Sequence, residues 1–322
     1  MAHDERDDEQ GERDAGQRVW RREDVLDLLH RRSNWHRWGE DDQVGTVNLI
    51  TDRKRAEAAA LVRTGRAVSL SRPFPTRPGA GNPRPAAHYT TRAPRGTGGI
   101  AGDYYGIEYH GTASTHVDAL CHVWDERGMW QGRDPAAELT SRGSRWGSID
   151  HWRHGIVTRG VLLDVPAFRG EPYVTHERPV HGDELEAVAH AQGVDVTAGD
   201  ALVVYSGRDR WDRENPAWGT GRTAAGEKRR PGLHASCLGF LRDNDCAALA
   251  WDMLDHAPND WGIPWTVHGA IFAYGLAVVD NCELAPLAAA CAAEGRYAFM
   301  FMLAPLVVEG GTGSPANPLA LF

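Results

Sequence analysis

Apolar and polar positions follow two rhythms along this chain, separated by stretches with neither. The first is helical. In REDVLDLLHRR, residues 22–32, Val25, Leu28 and Leu29 fall on one side of a helix. TDRKRAEAAALVRTG, residues 51–65, predicts a second helix that Thr51 caps and Gly65 ends. THERPVHGDELEAVAHAQG, HASCLGFLRDND and LAPLAAACAAEG predict three more, and WTVHGAIFAYG, with its small residues, also suits a helix. The second rhythm is the short, β-branched, continuously apolar run of a strand buried on both faces. GIVTRGVLLDVP and GDALVVYSG have it, CAALAWD and LAVVDNC also predict strands, RAVSLSRPF predicts a short strand, and YAFMFMLAPLVV predicts a last strand or pair. Strands that alternate with helices predict a mixed α/β fold. PTRPGAGNPRPAAHYTTRAPRGTGG, residues 75–99, has neither rhythm. A structureless loop of that length is uncommon without a role, so a lid or an arm between subunits is expected there.

Composition narrows the class. A chain of 322 residues, 42% of them hydrophobic, can bury a core as one large domain or two small ones. The formal net charge of -9 argues against a generally basic nucleic-acid binder. No apolar run is long enough for a membrane span. Residues 1–17 are charged throughout, lack the apolar stretch of a signal peptide, and are expected to be a disordered tail before a domain at 18–322. Five cysteines without a C-x-x-C pair fit reduced thiols in a cytoplasmic protein.

The densest candidate chemistry is HGTASTHVDALCH, from His110 to His122. In an extended segment His116 and Asp118 lie on one face, about 6.5 Å apart along the backbone, so both can reach one ion. His122 can return to that ion if the chain turns after Asp118. His110 can join only if GTAS is a turn. Spacing alone leaves a metal site and a structural histidine-rich loop equally open.

The same segment resembles the signature H-x-G-T-H-x-D-x-P-x-H of the cyclase-like, kynurenine-formamidase-like metal hydrolases. NWHRWGEDDQVGTVNLIT, SRGSRWGSIDHWRHGIVTRGVLLDV, GDALVVYSGR, PGLHASCLGFL and APLVVEGGTGSPANPLALF resemble other parts of the longer bacterial members, so the likeness spans roughly residues 19 to 322. It implies a single domain of the swivelling β/β/α type, with a central mixed sheet and flanking helices. It implies a divalent metal, Zn2+ or Mn2+, held by His116 and Asp118 together with His268 and Asp280, a pair that matches the family's later histidine and acid, although that acid is commonly Glu. His122 falls on the histidine that moves a proton. Three positions depart from the signature: Thr112 stands where the family has its first histidine ligand, Ser114 replaces Gly and Leu120 replaces Pro. The loss at Thr112 favours one metal, or a replacement ligand from His110 or His234.

The expected activity is hydrolysis of an amide, ester or lactone bond in a small cyclic or aryl substrate by metal-activated water. Two alternatives stand beside it: a tailoring cyclase or dehydratase that uses the same metal, and an inactive relative. Trp124, two residues after His122, is expected against the substrate. A homodimer or homotetramer is expected, with no nucleic acid and no membrane as partner. Ser206 has no G-x-S-x-G elbow, Cys121 is weak as a nucleophile, and GGTGSP at 310–315 reads as a turn.

Overall fold

The computed structural model describes residues 19–259 and 261–322. The segment expected as a disordered tail lies outside the described residues. The strands, in chain order, are β1 (Ala67–Ser69), β2 (Ala87–Arg95), β3 (Gly98–Gly106), β4 (His116–Asp118), β5 (Leu139–Thr140), β6 (Gly143–Ser144), β7 (Ile156–Asp164), β8 (Ala201–Tyr205), β9 (Ala248–Trp251), β10 (Ala277–Asp280), β11 (Ala298–Leu303), β12 (Gly313–Pro315) and β13 (Leu319–Leu321). The helices are α1 (Arg22–Leu26), α2 (Asp52–Ala59), α3 (Pro135–Glu138), α4 (Val165–Arg169), α5 (Gly182–Ala191), α6 (Arg208–Glu214), α7 (Cys237–Asp243), α8 (Ala270–Tyr274) and α9 (Ala285–Glu294).

Nine strands form one mixed sheet in the order β1-β13-β11-β7-β8-β9-β10-β4-β12, as the α/β expectation required. Its centre, β7 to β10, is parallel, and antiparallel strands complete both sides. The apolar runs explain this. β8, β9 and β10 are buried at every residue, as strands covered by helices on both faces must be. β11 instead alternates, with Phe299, Phe301 and Leu303 turned inward. Thr51 caps α2 by accepting a hydrogen bond from the Lys54 N–H at 3.1 Å. α1 runs on into a π-helical turn through Arg31, with Val25, Leu28 and Leu29 buried as their spacing predicts.

Several expectations need correction. α2 stops at Ala59 instead of continuing to Gly65. The segment expected to be structureless contains β2, which pairs along its whole length with β3 to make a two-stranded ribbon outside the main sheet. Pro94 and three of the ribbon's glycines hide it from sequence patterning. GGTGSP is more than a turn, because Gly313–Pro315 forms edge strand β12. The five cysteines are free and buried. Among the described residues no helix is long and apolar enough to cross a membrane.

Candidate metal centre

β4 is only three residues long and is paired on both sides. Asp280 of β10 lies opposite His116, and Gly313 of β12 lies opposite Asp118. The period of two sends His116 and Asp118 to one face and Val117, fully buried, to the other. Directly paired residues have neighbouring side chains, so the register alone brings Asp280 to His116. The site therefore lies outside the carboxyl ends of β9 and β10, where open α/β sheets place their ligands. A one-turn 3-10 segment before α8 delivers His268. The chain bends at 110–114, which carries His110 back to the same place, and the turn closed by His122 N–H to the Ala119 carbonyl at 3.0 Å returns His122. Gly313 must lack a side chain, since a Cβ there would sit 2.5 Å from the Val117 carbonyl oxygen and 2.9 Å from His110 Cε1.

Asp118 is the hub. Its Oδ1 lies 2.9 Å from His110 Nδ1, 3.3 Å from His116 Nε2 and 3.8 Å from His122 Nε2. Its Oδ2 lies 3.9 Å from His268 Nε2, which is 3.1 Å from Asp280 Oδ2. Asp280 Oδ2 is also 4.0 Å from His116 Nε2. Yet both Asp118 oxygens and His110 Nδ1 are buried without a hydrogen-bond partner. Atoms this close that do not hydrogen-bond to one another are aimed at a common point. Ligands around one tetrahedral ion at about 2.0–2.2 Å stand about 3.3–3.6 Å apart, and the separations here, from 2.9 to 4.0 Å, bracket that spacing. His110, His116 and Asp118 form one set of donors able to hold an ion, and Asp118, His268 and Asp280 form another, with Asp118 common to both.

Supporting groups fix the imidazoles. His116 Nδ1 donates to the Ser114 carbonyl at 2.9 Å, which leaves Nε2 to face the site. His268 Nδ1 is held by Asp255, whose other oxygen accepts from Thr266 Oγ1 and the Val267 N–H, both at 2.6 Å. Trp251 Nε1 donates to Asp280 Oδ1 at 2.6 Å, and His110 Nε2 meets Thr312 Oγ1 at 3.0 Å. The electrostatics ask for positive charge. Burial opposes a proton on His116, yet Asp118 and Asp280 outweigh it and carry the group up to about 9. Burial likewise opposes charge on His268, and Asp255 and Asp280 hold it well above the ordinary histidine value. His122 differs: burial pushes it down to about 4, against the pull of Asp118. Its ring stacks on His110 at 3.7 Å, nearly parallel, and borders a cavity of about 510 Å³ with Trp124, Pro264 and Trp265.

The sequence matches the profile of the Cyclase family, described as "Putative cyclase", over residues 37–257. The chain belongs to the cyclase family. No curated protein matches it. A solved structure described as a novel cyclase is 28% identical, with a TM-score of 0.79, over 90% of this chain and 99% of that one. An isatin hydrolase bound to the product analogue thioisatinate is 16% identical, with a TM-score of 0.56, over 82% and 94% of the two chains. Isatin hydrolase A from Labrenzia aggregata, bound to benzyl benzoate, is 18% identical, with a TM-score of 0.55 and the same coverage. At that identity the two isatin hydrolases speak for the fold alone.

In this chain the fold gathers His110, His116, Asp118, His122, His268 and Asp280. His234 is not brought there: it stacks on His181 at 4.1 Å and lines a separate cleft of about 890 Å³. Thr112 does not turn its hydroxyl into the site, since Oγ1 donates to the Gly81 carbonyl at 3.3 Å. Cys121 is fully buried and its thiol is pushed up to about 11 by burial. Ser206 is fully buried too. His30, Asp125 and Glu126 also come within ligand reach of one another, but His30 Nε2 already meets Asp125 Oδ2 at 2.7 Å and the other Asp125 oxygen accepts the Arg127 N–H at 2.8 Å. Sequence reading missed Asp255, Trp251 and Thr312. The only signal for Asp255 is an acid just after an apolar strand run, CAALAWDMLD.

Proposed function

We propose that the protein is a metal-dependent hydrolase that cleaves an amide, ester or lactone bond in a small cyclic or aryl substrate. The observation that carries this reading is Asp118, a buried carboxylate with two unpartnered oxygens ringed by four imidazoles. The donors are nitrogen and carboxylate oxygen, the set that suits Zn2+ or Mn2+. His116, Asp118, His268 and Asp280 would hold the ion, with His110 as the further donor. When bound, a divalent ion there acidifies water and polarises a carbonyl. His122, neutral because it is buried and open to the cavity, accepts the proton of the attacking water and returns it to the leaving group. Trp124 and Trp265 give the cavity flat apolar walls for a ring. The two isatin hydrolases, which share the fold, support a cyclic amide as a first substrate to try.

We also propose a homo-oligomer joined through the ribbon. Tyr89, Ile100, Tyr104 and Tyr105 are exposed on it, and the exposed Arg92 and Arg95 add positive charge to it in an acidic chain.

The test of the hydrolase reading is isatin turnover by metal-loaded protein in ¹⁸O-water. One label in the ring-opened acid supports hydrolysis. If a panel of cyclic amides, aryl esters and lactones yields only unlabelled rearranged product, the tailoring reading replaces it.

A further inference from the structure

Arg230 is a half-buried cation without a carboxylate partner. Burial pushes its guanidinium below the ordinary arginine value, with Asp255 and Asp280 opposing, so both site acids lie within its field. Its backbone is pinned, N–H to the Ala257 carbonyl at 2.8 Å and carbonyl to the Ala257 N–H at 3.1 Å. Its guanidinium carbon sits 5.4 Å from the centre of the Trp218 ring, and that ring is fixed by Nε1 donating to the Pro231 carbonyl at 2.9 Å. Its Nε is buried with no hydrogen-bond partner. Arg208, which also lies over Trp218 and whose Nε likewise lacks a hydrogen-bond partner, differs in the rest of its guanidinium. It donates to Asn281 Oδ1 at 2.6 Å and to the Thr112 carbonyl, and pairs with Asp212 at 3.4 Å.

Two further cations surround Arg230. Lys228 is lowered chiefly by Arg230, then by burial and by Arg222, so the three positive charges repel one another. None of the three forms an ion pair with any described residue, although Glu227 lines the same cavity as Arg230 and Lys228. That cavity, about 320 Å³, is completed by Asp255, His256, Thr266, Pro264 and Trp265. Pro264 and Trp265 also line the cavity that holds His122. The two spaces thus share a wall at Pro264 and Trp265, and the Trp265 ring centre is 5.9 Å from that of His268. Gly219 lies between Arg230 and Thr112: a Cβ on it would contact Thr112 Cγ2 at 3.1 Å and Arg230 Cδ at 3.9 Å.

We propose that Arg230 binds an anionic group of the substrate, so that this enzyme acts on a small organic acid whose carboxylate sits beside Arg230 while its cleavable carbonyl reaches the Asp118 centre. A buried guanidinium Nε costs free energy unless it is paired, and a planar fork of donors matches a carboxylate. Lys228 lines the cavity and Arg222 is bridged to it through the backbone, so the like charges there draw an anion inward. This inference rests on the hydrolase reading for the position of the carbonyl and on Arg230 alone for the acid.

The test is calorimetric titration of metal-loaded protein with benzenesulfonate and with methyl phenyl sulfone. The first is an aryl anion that coordinates divalent ions weakly, and the second is its neutral counterpart. Wild-type protein should bind the anion tenfold or more tighter, about what one charge-assisted pair supplies. Arg230→Gln should bring the two ligands level, and Arg230→Lys should keep part of the preference. Asp118→Asn should keep all of it, because the anion reads Arg230 and not the metal. Should Arg230→Gln fail to fold, Arg222→Ala with Lys228→Ala must still weaken the sulfonate severalfold and leave the sulfone unchanged. The proposal is overturned if wild type shows no preference, if Arg230→Gln retains it, if only Asp118→Asn loses it, or if the Arg222→Ala, Lys228→Ala double variant changes nothing. Protein that proves metal-free yet shows the Arg230-dependent preference would defeat the hydrolase reading and leave the anion site standing.

Discussion

Asp200 and Asp118 are both fully buried carboxylates beside the same sheet, at opposite ends of its parallel strands. Asp200 precedes β8. It receives Lys54 Nζ at 2.5 Å, Arg159 Nη2 at 2.6 Å and Nε at 3.0 Å, and the Thr197 N–H at 2.8 Å. Asp118 ends β4 near the carboxyl ends of β9 and β10, and neither of its oxygens accepts a hydrogen bond. Both burials carry a desolvation cost. At Asp200 the chain answers it with its own cations, which is the arrangement of a structural charge cluster. At Asp118 it supplies imidazoles that converge but do not close, which is the arrangement of a site that takes a cation from solution. Burial alone does not separate the two cases; the completeness of the hydrogen bonding does.

Exchanging the two roles by substitution sharpens the comparison. The largest effect belongs to Asp118→Asn, which should abolish hydrolysis while its far-UV circular dichroism stays that of the wild type. Persistent turnover would place the metal elsewhere. His122→Ala should keep its metal and lose about 10²–10⁴ in kcat, because a group that moves a proton is removed and no ligand is. If its metal content falls as far as that of Asp118→Asn, His122 is a ligand, and stacked on His110 it would be filling the place left by Thr112. Asp200→Asn should do the reverse of Asp118→Asn. It leaves the buried Lys54 and the half-buried Arg159 without their acid and should lower stability by about 3 kcal/mol in denaturant unfolding, with metal content unchanged.

Asp255→Asn should have a smaller effect. It keeps His268 in place but weakens its orientation, and metal affinity should fall about 10- to 100-fold by competition with a chelating dye. Smallest at the site is the effect of the ribbon. Tyr89→Ser with Tyr104→Ser should lower the molar mass seen by light scattering and leave metal content untouched. A wild type that is already a monomer at micromolar concentration would contradict the proposed oligomer.

How far the sequence reaches follows from the range of the interactions involved. His116 and Asp118 are legible because a period of two is local, and the all-apolar runs of β8, β9 and β10 declare strands buried on both faces. Asp280 and His268 needed the family likeness, since they lie 162 and 150 residues beyond Asp118 and nothing local ties them to it, and only the register of β10 on β4 places Asp280 against His116. Strand β12 was missed because Gly-Ser-Pro has low strand propensity; it holds its place by pairing with β4 and by the lack of a side chain at Gly313. The ribbon was missed for a related reason, as its Pro, Gly and Arg content resembles a loop although each of its residues has a cross-strand partner. Arg230 sits in a run of basic residues, EKRRPG, that reads as exposed, and only the fold turns that one side chain toward Trp218 and the site acids.

Asp118 lacks hydrogen-bond partners because it is built to hold a metal ion. Elemental analysis of the purified wild type, Asp118→Asn and Asp200→Asn, each dialysed against Zn2+ or Mn2+ and then freed of loose ion, tests it most directly. The account predicts about one equivalent or more per chain in the wild type and in Asp200→Asn, and less than about a tenth of that in Asp118→Asn. Equal metal in wild type and Asp118→Asn, or none in either, would contradict it.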